Sequence, residues 1–178
     1  FFKNRKTKME ETILNRVSSS GLITINLEEF YVEGERVLFD MKEHLYEELV
    51  LRERDFRAFV KDNNWSIYKD KLVAITCSND AIVASWAYML VAAAIQPYAK
   101  KIVFGNLETL ETVLFIEQLS KINPEVYRNQ RIVIKGCGDK PVSLAAYVEL
   151  TRLLQPVAKS IMYGEPCSTV PVYKSAKA

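Results

Sequence analysis

Histidine is almost missing from this chain: His44 is the only one in 178 residues. A cysteine nucleophile would therefore have no ready base, since His44 lies far upstream of every thiol. Cysteine is nearly as scarce. Cys77, Cys137 and Cys167 are widely spaced and odd in number, so they form no disulfide framework, and a reducing cytoplasm is the expected compartment. There is no Cys-x-x-Cys pair, no Gly-x-Gly-x-x-Gly fingerprint and no Walker loop, which removes the specific motifs for metals and nucleotides. Basic excess is missing too. Phe1–Lys8 holds Lys3, Arg5, Lys6 and Lys8 and no acid, and the remainder carries 20 basic against 22 acidic residues. A body so balanced is not built for nucleic acid. No apolar h-region follows the basic start, so no secretory signal is expected. Residues 1–8 are read as a disordered extension, and residues 9–178 as a single domain. Ala81–Ala99 lacks any charge and approaches the length of a membrane span. Gln96-Pro97 interrupts it and strands flank it, so a buried helix is expected there, not a membrane segment.

What the chain does contain is a regular alternation. Glu10–Ser18 reads as a helix stopped before Gly21. Leu22–Leu27 alternates apolar and polar, and Val37-Leu38-Phe39 is a second short apolar run, so residues 22–39 predict a hairpin or two sheet-edge strands. From Asp40 the period lengthens, placing Met41, His44, Leu45 and Leu49 on one helical face with Glu43, Glu47 and Glu48 outside. Strands then follow at Leu72–Cys77, Lys101–Gly105, Ile132–Cys137 and Ser160–Gly164. Helices at Ile82–Ile95, Leu107–Ile122 and Val142–Val157 separate them. Short apolar strands that do not alternate are covered on both faces. The fold class is α/β: a mainly parallel sheet of about five strands with helices packed on it, preceded by an N-terminal helix and an edge strand or hairpin.

Two stretches repeat each other. Phe56 and Phe115, Asn64 and Asn123, Tyr68 and Tyr127, Tyr88 and Tyr147, Gln96-Pro97 and Gln155-Pro156, and Gly105 and Gly164 fall in one register, with a one-residue gap when Cys77 is set on Cys137. Residues 56–105 and 115–164 are therefore read as an internal βα duplication. The helices of the two copies differ. Val142–Val157 carries Glu149 and Arg152, whereas Ile82–Ile95 is apolar all round. Such a helix is buried on every side, as a central helix or as a homodimer surface.

Ligands of open parallel sheets bind at the carboxyl ends of the strands. Cys77 and Cys137 end strands, and Cys167 follows the last one in Gly164-Glu165-Pro166-Cys167-Ser168-Thr169, so all three are expected on one sheet edge. Helix N-termini there favour thiolates, with Ser78, Asn79 and Asp80 capping one helix and Asp139 the other. The functional expectation is a thiolate site of Cys137, Cys167 and Cys77 for zinc or an iron–sulfur cluster, with Asp80, Asp139 or Glu165 as a fourth ligand. Cofactor contacts would come from Cys137, Gly138, Asp139, Ser78 and Asn79, and the turn Lys135–Lys140 can also hold an anion on its amides. The rival expectation is an assembly module whose cysteines only pack.

Several strings resemble one family: Gly34–Asp40, Trp86–Leu90, Gln96–Lys101, Val133–Asp139 and Gly164–Pro171. From Met9 to about Lys174 the chain resembles a small bacterial family known as domain of unknown function 2480. The resemblance implies no activity. It implies iron–sulfur assembly proteins as partners, through the company such chains keep.

Overall fold

The computed structural model describes residues 21–136, 138–165 and 167–176. The chain divides into two compact units, Val32–Leu114 and the pair of segments Phe1–Tyr31 and Phe115–Ala178.

In Val32–Leu114, three parallel strands pair in the order β2 (Arg36–Asp40), β3 (Leu72–Thr76) and β4 (Lys101–Phe104). Alternate residues of β3 feed opposite faces, as the strand period of two requires. Val73 and Ile75 pack with Phe39, with Phe56 of α1 (Glu53–Asp62), and with Ala87, Val91 and Ile95 of α2 (Ser85–Ile95). Leu72 and Ala74 pack with Val103 and with Leu110 and Leu114 of α3 (Leu107–Leu119). Both faces are covered, which is why these strands read as continuous apolar runs.

The other unit orders its strands β1 (Leu22–Asn26), β5 (Arg131–Lys135), β6 (Ser160–Glu165) and β7 (Ser168–Lys174). The first three are parallel, and β7 returns antiparallel along β6. Its core joins Ile25, Ile132, Ile134 and Ile161 to Phe115 and Leu119 and to Ala146, Leu150 and Leu154 of α4 (Leu144–Leu154).

Three element starts in one unit stand 59 residues before three in the other: Leu72 and Arg131, Ser85 and Leu144, Lys101 and Ser160. Each has an edge strand, a central strand, a crossover helix and a third strand in parallel order. Asp70 and Asn129 both take positive φ (61° and 58°). Their amides donate to Tyr98 O and Val157 O at 3.0 and 2.9 Å. Tyr88 meets Phe104 edge to face at 5.3 Å, and Tyr147 meets Tyr163 at 5.8 Å.

Several expectations need correction. The strands divide between two sheets, because β2 pairs with β3 while β1 pairs with β5. Of the two forms expected for residues 22–39, the structure has the two edge strands. The helix read from Asp40 to Leu49 is one 3₁₀ turn, Met41–His44, followed by extended Leu45. It stops because Glu47 and Glu48 both take positive φ, 49° and 61°, which a right-handed helix cannot contain. The polar segment after Glu165 forms β7, an edge strand that tolerates Pro171. α2 is not buried on every side: Ala87, Val91 and Ile95 are fully buried, while Met89 is 70% exposed. Among the described residues no helix is long and apolar enough to cross a membrane. The helix expected at Glu10–Ser18 lies outside the described residues.

Candidate functional site

The carboxyl ends of the strands are closed by the chain's own carboxylates. Asp40 ends β2, and its Oδ1 accepts from the amides of Lys42 and Ser78, both at 3.0 Å. Burial pushes the Asp40 carboxyl up, but hydrogen bonds from Ser78 and Lys42 and the Lys42 charge outweigh it, leaving it below the ordinary 3.8. The other unit repeats the device with different residues. Asn26 ends β1 and accepts from the Glu28 amide at 3.2 Å, and the Glu28 carboxylate accepts from the Gly138 amide. The Gly138 turn thus holds an anion, as its composition suggests, and that anion is Glu28. A Cβ at Gly138 would meet the Glu28 carboxylate, the movable end of a side chain, so a larger residue there would push the carboxylate aside.

Of the three thiols, Cys77 and Cys167 fall among the described residues. Cys77 is half-buried against the α1–α2 core, and its Sγ–H donates to Asn79 O at 3.6 Å. Asn79 Nδ2 in turn donates to Glu48 O at 3.1 Å, while Asp80 is exposed. Neither Ser78, Asn79 and Asp80 nor Asp139 caps a helix. α2 starts only at Ser85, after Ala84, which supplies no side-chain cap, and α4 starts at Leu144, where Ser143 Oγ accepts from Ala145 N. The loops are long enough to carry the helix ends away from the strand ends, so the dipole argument for a thiolate at Cys77 fails. Cys167 is exposed in the connection from β6 to β7, and Glu165 beside it pairs with Lys135 at 3.4 Å. Asp139 is exposed, and Cys137 lies outside the described residues. Cys77 and Cys167 belong to different units. Among the described residues no group of three or more His, Cys, Asp and Glu side chains is placed to hold a metal.

His44 was the residue least legible in the sequence. Its ring lies 4.0 Å from Phe59, 5.4 Å from Phe39 and 5.7 Å from Phe56 between ring centres. Burial lowers its pKa below the ordinary 6.5, and the Glu43 charge opposes that only partly. It borders an open cavity of about 240 Å³ with Asp40, Glu43, Phe59 and Tyr68. An aromatic-rich stretch around a lone histidine was the available signal.

The remaining feature is an apolar surface on α2. From Ala81 to Ala99 no side chain is charged. The outward stripe is Ser85, Met89 and Ala93, with Trp86, Tyr88 and Leu90 half-buried beside it. Phe104, touching Tyr88 at the end of β4, is 69% exposed.

Two sets of mostly parallel strands with crossover helices define a mixed α/β protein. Residues 11–175 match the family described as "Protein of unknown function (DUF2480)", and the chain belongs to it. No curated protein and no solved structure matches the chain.

Proposed function

We propose that the protein is a non-catalytic assembly module, built on a duplicated βα unit, that binds a second copy of itself through α2. The observation that carries this reading is the charge-free outer surface of α2 with Met89 70% exposed. In a two-fold dimer the same surface meets itself, so a charge near the axis is brought close to its own copy. A surface without charge meets no such penalty, and burying it removes apolar area from water. The duplication is supported by the shared 59-residue register, including the positive φ of Asp70 and Asn129 and the two tyrosine–aromatic pairs. Cys77 acts structurally in this reading, as its core contacts suggest.

Light scattering of the full chain across micromolar concentrations tests it. The expected result is a dimer that Met89→Glu converts to monomer without loss of helical signal, since Met89 makes no part of the buried core. A wild-type protein that stays monomeric at high micromolar concentration overturns the reading.

A further inference from the structure

We infer that the second copy joins edge to edge, β4 against the partner's β4, antiparallel across a two-fold axis at Val103. This pairing rests on the assembly reading above and specifies its geometry.

The backbone of β4 points the necessary groups outward. Lys101 N–H donates to Lys71 O at 3.4 Å and Gly105 N–H to Ile75 O at 2.9 Å, so the odd-numbered amides face β3. By the alternation of a strand, the amides and carbonyls of Ile102 and Phe104 face away. Among the described residues no strand lies beyond β4. The matching edge in the other unit is occupied. There β7 lies antiparallel along β6, with Ile161 opposite Tyr173 and Tyr163 opposite Val170. Ile161 and Tyr163 stand 59 residues after Ile102 and Phe104. β4 has the same form of edge without a covering strand among the described residues, since the chain runs from Phe104 through Gly105 and Asn106 directly into α3. An uncovered edge accepts an antiparallel strand readily.

A second copy fits this edge for three reasons. An antiparallel edge contact is self-complementary only across a two-fold normal to the sheet, and such an axis keeps equivalent faces on the same side. Centred on Val103, it sets Ile102 opposite the partner's Phe104, and both of those pairs are the hydrogen-bonded kind. The two exposed Phe104 rings are then covered on the α2 face. Third, strands are ~4.8 Å apart, so crossover helices lying over the β3–β4 groove in each copy come to ~10 Å from each other. That is the distance of packed helices. It sets the Tyr88 side of each α2, the side that meets Phe104, toward its copy, with Met89 on the flank of the contact, and a charge on that uncharged side would oppose it.

Cross-linking and light scattering together test this on the full chain. Only Val103 faces its own copy in this register, at a Cα separation of ~4.5 Å that a disulfide can span. With Cys77, Cys137 and Cys167 changed to Ser, Val103→Cys should give a reducible dimer on oxidation, and Lys101→Cys should not. In the otherwise unchanged chain, Phe104→Lys should weaken dimerisation about tenfold or more. Phe104 is exposed, so this second variant remains informative if Val103→Cys folds poorly. Suppose the wild type dimerises and Met89→Glu disrupts it, yet Val103→Cys gives no cross-link and Phe104→Lys dimerises normally. Edge pairing is then wrong and the α2 reading stands. A monomeric wild type removes both.

Discussion

Three glycines form a mutational series in which backbone conformation and steric contact can be separated. Gly21, Gly105 and Gly164 all have positive φ, at 65°, 131° and 117°. A Cβ built on Gly21 meets none of the described residues within 4 Å. Gly21→Ala therefore carries the conformational penalty alone, about 1 kcal/mol. A Cβ on Gly105 comes to 2.7 Å from Thr109 Cβ. Thr109 Cβ is set by the backbone of the first turn of α3, so rotating the side chain cannot clear it; that turn, held by the Thr109 amide donating to Asn106 Oδ1 at 2.8 Å, must shift. Gly105→Ala is expected to cost about 2 kcal/mol. A Cβ on Gly164 meets Ser168 O, a backbone atom, at 2.6 Å. Ser168 opens β7 and pairs with Glu165 while Thr169 pairs with Gly164, so relief requires the whole β6–β7 register to shift. Gly164→Ala is expected to cost about 3–4 kcal/mol. Urea unfolding by far-UV circular dichroism orders the three. Tryptophan fluorescence follows Gly105→Ala separately, because Trp65 and Trp86 both lie in Val32–Leu114. A Gly164→Ala loss no larger than that of Gly21→Ala refutes the reasoning.

Two further predictions concern His44 and the helix starts. The aromatic surroundings of His44 favour neutral imidazole in the folded chain, so the unfolded chain takes the proton first as pH falls through 6.5. Stability should fall from pH 7.5 to pH 5.5, and His44→Gln should flatten that decline; equal slopes in urea titrations of the two proteins would contradict it. Asp40 acts in a separate window, since its lowered pKa gives stability lost only as pH falls from 3.8 downward. Ala84 and Ser143 share one N-cap conformation, φ −65° and ψ 139° against φ −62° and ψ 138°, but only Ser143 offers a hydroxyl. Ala84→Ser should add about 0.5–1 kcal/mol and Ser143→Ala should remove a similar amount, read from urea midpoints.

Much of the fold is legible in the sequence. The runs at Leu72–Thr76, Arg131–Lys135 and Ser160–Glu165 are too apolar to alternate, and each proves to be a strand, two of them covered on both faces. What periodicity cannot carry is pairing order. Nothing in Val37-Leu38-Phe39 says that it joins Val73 while Ile23 joins Ile132, yet that choice splits one expected sheet into two. Local conformation misled elsewhere. Met41, His44, Leu45 and Leu49 have helical spacing, but the left-handed Glu47-Glu48 turn breaks the segment, with Leu49 N–H donating to Tyr46 O at 3.1 Å. β7 was hidden by Pro171, which a strand admits only at an edge.

The candidate site was less legible, and the reason lies in a single residue of register. Aligning Cys77 with Cys137 requires a gap, and the gap made the two thiols look like one repeated position. In the structure β3 and β5 end at Thr76 and Lys135, and α2 and α4 begin at Ser85 and Leu144, so the spacing is 59 on both sides of the turn. At that spacing Cys77 falls on Gly136, not on Cys137. The two sites differ in what fills them. A Cβ at Gly136 would come to 2.6 Å from the Tyr147 hydroxyl. At Cys77 the side chain is accommodated, and burial, with the Asp40 charge adding to it, pushes the nearby Tyr88 hydroxyl up. What the two units share is a tyrosine from the crossover helix near the strand end and a carboxylate holding the turn amide. These are groups that rigidify a scaffold, and they leave the uncharged α2 surface and the open β4 edge as the features that call for a partner.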